Sequence, residues 1–201
     1  GSFNISTASA LVTASCGVPV AKHGNRALTS KSGSADVLVA LGVNIEAEPA
    51  LLQLALQQAN FCFLMAPRHH AAMRHVANVR REIGTRTIFN LVGPLANPAG
   101  AKRQLVGVFD KAWVEPLAHV LDRLSLERAW VVHGCDGMDE ITTTGPTFVA
   151  ELKEGSISCF EVTPEDAGLS RTSPEALLGS DPDGNAAMMN ALLNGKKGPL
   201  R

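Results

Sequence analysis

A layered α/β/α domain built around a mostly parallel, mixed sheet is the architecture this chain predicts, and three observations carry it. Short continuous apolar runs such as "FCFLM" and "AWVV" alternate with longer segments of helical periodicity. A late pair of runs, "TFVAELK" and "SISCFEV", meets at Glu154-Gly155 and reads as an antiparallel hairpin, which makes the sheet mixed. Polar clusters follow the expected strands "PVA", "FCFLM" and "AWVV", at the sheet edge where open α/β folds bind ligands.

The elements follow in order. "NISTASALVTASCGV" opens with capping residues and then repeats Ala, Leu and Val at helical spacing, predicting a helix over 6–16. "PVAK" is short and β-like, and "SADVLVALG" is a helix stopped by Gly42. "PALLQLALQQAN" begins with a proline in its first turn, where the missing N–H costs nothing. The apolar "FCFLMA" reads as a buried strand, and "HHAAMRHVANVRREIG" as one amphipathic helix. "RTIFNLVGPLANP" carries two Gly/Pro breaks and reads as a long turn-rich segment. "QLVGVF" and "RAWVVHG" are strands flanking a helix in "KAWVEPLAHVLDRLS", despite Pro116, and "GNAAMMNALLNG" closes as a helix capped by Gly195.

With 201 residues, 45% of them hydrophobic, the chain is most naturally one domain with a real core. Lys and Arg number 18 against 19 Asp and Glu, a net charge of −1, which argues against broad nucleic-acid affinity. Cys16, Cys62, Cys135 and Cys159 form no CxxC pair, so a zinc site or disulfide framework is disfavoured and a reducing cytosol fits. No signal-peptide pattern and no apolar run near 18 residues is present, the expectation being a soluble, non-secreted protein. Both ends read as cut: organised pattern begins at residue 3, and "LLNGKKGPLR" stops just after a helix end.

Four constellations carry chemistry. "NIST", Asn4 to Thr7, sits at a helix start, where unpaired N–H groups suit phosphate; an ordinary N-cap is the plainer alternative. "KHGNRALTSKSGSAD" surrounds Gly24 with Lys22, His23, Asn25 and Arg26 and follows with hydroxyls at Thr29, Ser30, Ser32 and Ser34, a mixture fit for an anion or for a solvated loop. His69 and His70 precede Arg80 and Arg81, and ten residues of helix would roughly align His70 with Arg80, whose fork suits a carboxylate. Asp139 and Glu140 follow a strand in "DGMDE"; adjacent carboxylates can hold Mg²⁺, or simply form a polar turn from Asp136-Gly137. Walker A, GxGxxG and GxSxG patterns are absent, which counts against P-loop, dinucleotide and serine-hydrolase chemistry.

Taken in order, "FNIST", "KHGNR", "SGSAD", "HHAAM", "VRREIG", "GPLANP", "GVFD" and "VVHGCDGMDE" resemble anthranilate phosphoribosyltransferase across nearly the whole chain. The resemblance implies the nucleoside phosphorylase/phosphoribosyltransferase type of catalytic α/β domain over 1–201, with the family's helical domain largely missing. It implies Mg²⁺-dependent transfer of the phosphoribosyl group of phosphoribosyl pyrophosphate to the amine of anthranilate, a step of tryptophan biosynthesis, in a cytoplasmic enzyme that is a homodimer at full length.

Carried over by position, Asn4, Ile5, Ser6 and Thr7 match the donor-binding NIST segment, with Ser6 also on Mg²⁺. Lys22, His23, Gly24, Asn25, Arg26, Ala27, Leu28, Thr29, Ser30 and Ser34 match the loop that wraps phosphoribosyl pyrophosphate. Asn25 and Arg80 match residues that hold anthranilate, with His23 and His70 as its neighbours, and Asp139 and Glu140 match the acidic pair on a second Mg²⁺. No covalent nucleophile is expected, and neither nucleic acid nor membrane is an implied partner. The family's glycine-rich loop, due just before "NIST", is missing, Ala71 stands where proline is common, and Val39 where an acidic residue is frequent. Without that loop the chain is expected to lack part of its pyrophosphate grip and, with it, activity. The rival readings are a pyrimidine nucleoside phosphorylase-like enzyme, which would need no acidic metal pair, and a nucleic-acid-binding relative, which would need a basic surface.

Overall fold

The structure, a computed structural model, describes residues 1–27, 32–70, 74–85 and 87–201. It is a mixed α/β fold with one parallel and one mixed sheet, and its contacts divide it into two compact units. One comprises Gly1–Ile88 with Leu177–Arg201, the other Phe89–Ala176.

The first unit contains α1 (Ile5–Ser15), β1 (Val20–Gly24), α2 (Ser34–Ala40), α3 (Pro49–Ala59), β2 (Phe61–Met65), α4 (Ala66–His69), α5 (Arg74–Ile83) and α8 (Pro182–Leu193). Strands β1 and β2 run parallel, in register from Val20 opposite Phe61 to Gly24 opposite Met65. Their carboxyl ends therefore share one edge, and the polar clusters that follow them start side by side. Phe3, Ala8, Val37, Ala186 and Met189 form the core between α1, α2 and α8. Ala35 and Leu38 on the other side of α2 pack with Ile45 and Phe63, which anchors α2 over β2. Gly17 and Gly42 stop α1 and α2 in the left-handed region, as glycine permits without Cβ strain.

The second unit contains α6 (Phe89–Leu95), β3 (Arg103–Gly107), α7 (Val114–Arg123), β4 (Arg128–Gly134), β5 (Thr147–Lys153) and β6 (Ser156–Val162). Its sheet has the order β3-β4-β5-β6, parallel between β3 and β4 and antiparallel thereafter. Val114, Leu117, Ala118 and Leu121, at the spacing of one helical face, bury α7 on Val131, Ala150 and Leu152. Pro116 falls in the first turn of α7, where no intrahelical donor is required. Glu154 (φ 50°) and Gly155 (φ 77°) make the two-residue turn whose positive angles match strand twist.

Three expectations are corrected. The turn-rich reading of 86–98 gives way, among its described residues, to α6, whose Leu91 is buried with the second unit's core; Pro94 comes late enough for a turn and a half of helix to form first. The single helix from His69 to Gly84 is broken, because His70 leaves helical geometry at φ −121°, ψ 63° and α5 starts at Arg74. His70 and Arg80 therefore do not share a helix face. Finally, the described strands form two sheets, since no ladder joins β1 or β2 to the others; the cluster after β4 follows a different sheet from those after β1 and β2. Of the cysteines only Cys62 is buried, and all four are free thiols. Among the described residues no helix is long and apolar enough to cross a membrane.

Candidate functional site

At the start of α1, Asn4 does not cap the helix with its side chain. Its Oδ1 instead accepts from Asn185 Nδ2 at 2.9 Å, and the buried Asn185 also bonds both backbone groups of Ser180. A residue 181 positions away thus sets the Asn4 carboxamide. Ile5 turns its side chain to the core, and Ser6 is exposed. Thr7 is fully buried with an unpartnered Oγ1, so its hydroxyl does not face solvent in this structure.

Lys22, on β1, donates from Nζ to Ser6 Oγ at 3.1 Å, joining the "NIST" and "KHGNR" clusters directly. His23 and His70 meet Nε2 to Nε2 at 3.1 Å, edge to face with ring centres 4.9 Å apart. Burial first, then the neighbouring His70 and His69, push the His23 pKa from 6.5 down to about 4, so the ring is neutral at neutral pH. One ring of the pair must then hold the shared proton and the other accept it.

Gly24 closes β1 where a Cβ would strike Ser34 Oγ and lie 3.0 Å from the Phe63 ring. Its smallness serves the approach of α2 to the sheet. Asn25 folds its Oδ1 onto the Arg26 N–H at 2.8 Å, while its carbonyl accepts from Ser34 Oγ at 3.4 Å and Ala35 N–H at 3.3 Å. Arg26, exposed, pairs with Asp36 at 3.1 Å, and the Ala27 N–H donates to the same carboxylate at 2.9 Å. Leu28, Thr29 and Ser30 lie outside the described residues. Arg80 lies on α5, with its side chain likewise outside the description.

In the second unit, Asp136 organises the turn after β4. It accepts from Thr142 Oγ1 at 2.6 Å, Thr144 Oγ1 at 2.7 Å and Met138 N–H at 3.1 Å. Burial alone would raise its pKa, and these hydrogen bonds hold it below the ordinary carboxylate value. The polar turn expected at Asp136-Gly137 is present, with Gly137 at φ 84°. It leaves Asp139 exposed and Glu140 partly so. Gly107 on β3 lies under this turn, and a Cβ there would collide with the Asp139 carbonyl. Among the described residues no three His, Cys, Asp or Glu side chains cluster as a metal cage. Two adjacent hard-oxygen donors suit Mg²⁺, which typically takes one or two carboxylates and fills its octahedron with water and phosphate oxygens.

Sequence reasoning singled out neither Asp36 nor Asn185. Asp36 stands three residues after Gly33, the capping-box position for an acidic side chain, a signal that could have found it. Asn185 carries no comparable local signal.

Residues 1–201 match the Glycosyl transferase family, a/b domain. The chain is 63% identical over all its 201 residues to the anthranilate phosphoribosyltransferase of Rhodospirillum rubrum, of which it covers 58%. The crystal structure of anthranilate phosphoribosyltransferase from Thermus thermophilus superposes with a TM-score of 0.93 at 50% identity, over 100% of this chain and 59% of that one. Anthranilate phosphoribosyltransferase from Saccharomyces cerevisiae, in complex with PRPP and Mg, gives a TM-score of 0.88 at 28% identity, over 98% of this chain and 55% of that one. The chain thus spans somewhat under three fifths of the length of these relatives.

Proposed function

Since this chain belongs to the Glycosyl transferase family, a/b domain, along its whole length, we propose that it is the catalytic α/β domain of a cytoplasmic anthranilate phosphoribosyltransferase. The reaction joins the amine of anthranilate to C1 of phosphoribosyl pyrophosphate and releases pyrophosphate, a step of tryptophan biosynthesis. The observation that carries this reading is the Lys22 Nζ to Ser6 Oγ contact at 3.1 Å. It brings a cation, the Ser6 hydroxyl and the positive end of α1 to one place, which is what a phosphate group requires.

In the proposed mechanism Lys22 and Arg26 donate to phosphate oxygens, and Asn4 and Ser6 orient the donor at the start of α1. Asn25 and Arg80 hold anthranilate, the arginine by its carboxylate, beside the His23–His70 pair. A neutral His23 adds no positive charge against the ribose as C1 gains cationic character. The new N–C1 bond forms as the C1–O bond breaks with its electron pair going to pyrophosphate, and the amine proton passes to the released pyrophosphate or to water. No covalent enzyme nucleophile takes part; the rate comes from positioning and charge stabilisation. Ser6 would hold one Mg²⁺, and Asp139 and Glu140 a second; the chemistry Mg²⁺ supplies when bound is to neutralise charge on the departing pyrophosphate. The full-length protein is expected to be a homodimer.

Calorimetric titration with phosphoribosyl pyrophosphate, with and without Mg²⁺, tests the reading on this chain and on a chain extended to the length of its relatives. Mg²⁺-dependent binding, with fluorescent anthranilate consumed by the longer chain, is expected. Absence of binding in both would overturn it.

A further inference from the structure

Asp36 stands at the third position of α2, and the two oxygens of its carboxylate hold different partners. Oδ2 accepts the Ala27 N–H at 2.9 Å and the Gly33 N–H at 3.0 Å, while Oδ1 accepts Arg26 Nη1 at 3.1 Å. The Asp36 side chain is 17% exposed against 51% for Arg26, so the carboxylate is the fixed member of the pair. Gly33 lies so close that a Cβ would meet the Ala27 nitrogen, with Arg26 C at 2.7 Å and Asn25 O at 3.0 Å. We propose that Asp36 is a positioning residue for the phosphate clamp, Oδ2 pinning the backbone at Ala27 and Gly33 while Oδ1 aims the Arg26 guanidinium at the donor's phosphates. The inference rests on the transferase reading for its ligand. Partial burial works against the charge on Asp36, but the two backbone N–H groups and Arg26 hold its pKa below the ordinary value, so the latch is ionised at neutral pH. An arginine tethered by one N–H keeps its other donors for a ligand and loses less freedom on binding than an untethered one.

Asp36→Asn separates the two tasks. Its amide oxygen can still accept both backbone N–H groups, but its NH₂ then faces the Arg26 guanidinium, donor against donor. Affinity for phosphoribosyl pyrophosphate with Mg²⁺ should fall about 10-fold in Asp36→Asn, the scale of one charge-assisted hydrogen bond. Arg26→Gln should lose a similar amount, and the double variant no more than either alone, because the two act as one unit. Parent-like binding by Asp36→Asn, or fully additive losses, would overturn the arginine half. Amide hydrogen exchange without ligand decides the pinning: protection at Ala27 and Gly33 should survive in Asp36→Asn and vanish in Asp36→Ala. Unchanged protection in Asp36→Ala would overturn it. A parent chain that binds no donor, even at its relatives' length, sinks the transferase reading and the arginine half with it, while exchange still judges the pinning.

Discussion

Lowering the pH from about 7.5 to about 4.5 should weaken the unit that carries His23, and the size of the loss follows from the ring's surroundings. His23 has a pKa of about 4 in the fold against 6.5 when unfolded. Between those values the unfolded chain binds a proton that the folded chain refuses. The His23 contribution is therefore full above 6.5, falls as pH drops, and levels off below about 4. At about 1.4 kcal/mol per pKa unit, the roughly two units between 6.5 and about pH 4.5 would amount to about 2.7 kcal/mol. Solvent reaches part of the ring and screens it, which leaves about 1.5–2 kcal/mol. Urea unfolding at a slope of roughly 2 kcal/mol/M would read this as a midpoint lower by about 0.8–1 M. Circular dichroism is the suitable probe, because Trp113 and Trp130 both belong to the other unit. His23→Gln should flatten the profile across this window. His70→Gln should reduce the slope without abolishing it, since burial is the larger cause. Asp36 and Asp136 titrate below the ordinary carboxylate value of 3.8 and stay out of the window. The same acid loss in His23→Gln would refute the argument.

Gly107→Ala drives a methyl into the Asp139 carbonyl; a loss of about 2 kcal/mol or more in thermal melts is expected, together with weaker Mg²⁺-dependent donor binding. Gly24→Ala crowds Ser34 and the buried Phe63 and should cost about 1–3 kcal/mol, part of it recovered by adding Ser34→Ala; denaturant titration of both variants checks this. Lys22→Ala removes the cation bonded to Ser6 and should raise the calorimetric Kd for phosphoribosyl pyrophosphate about 10-fold or more. Arg80→Ala, in the chain extended to its relatives' length, should chiefly raise KM for anthranilate in steady-state assays, with kcat little changed.

Much of the fold is written locally. Helical spacing placed α1 within a residue of its observed ends, and Gly155 marked the β5–β6 turn because glycine takes a positive φ without Cβ strain. The ordered motifs identified the family, since their residue types and spacing survive without any knowledge of contacts. Local reading failed where packing outweighed it. Leu91 holds a helix ahead of Pro94, and His70 interrupts what periodicity alone reads as continuous.

What the sequence by itself determined, then, was most of the inventory of elements, α6 and the break at His70 excepted, and the chemistry available at their ends. Only the tertiary structure decided which of those groups meet: Lys22 with Ser6, His23 with His70, Arg26 with Asp36, and Asn4 with Asn185 far along the chain. It also decided that Thr7 is buried while Ser6, its neighbour, is exposed. The physical reason is range. Propensity, caps and turns act over a few residues, whereas a contact between distant residues exists only after whole elements have packed.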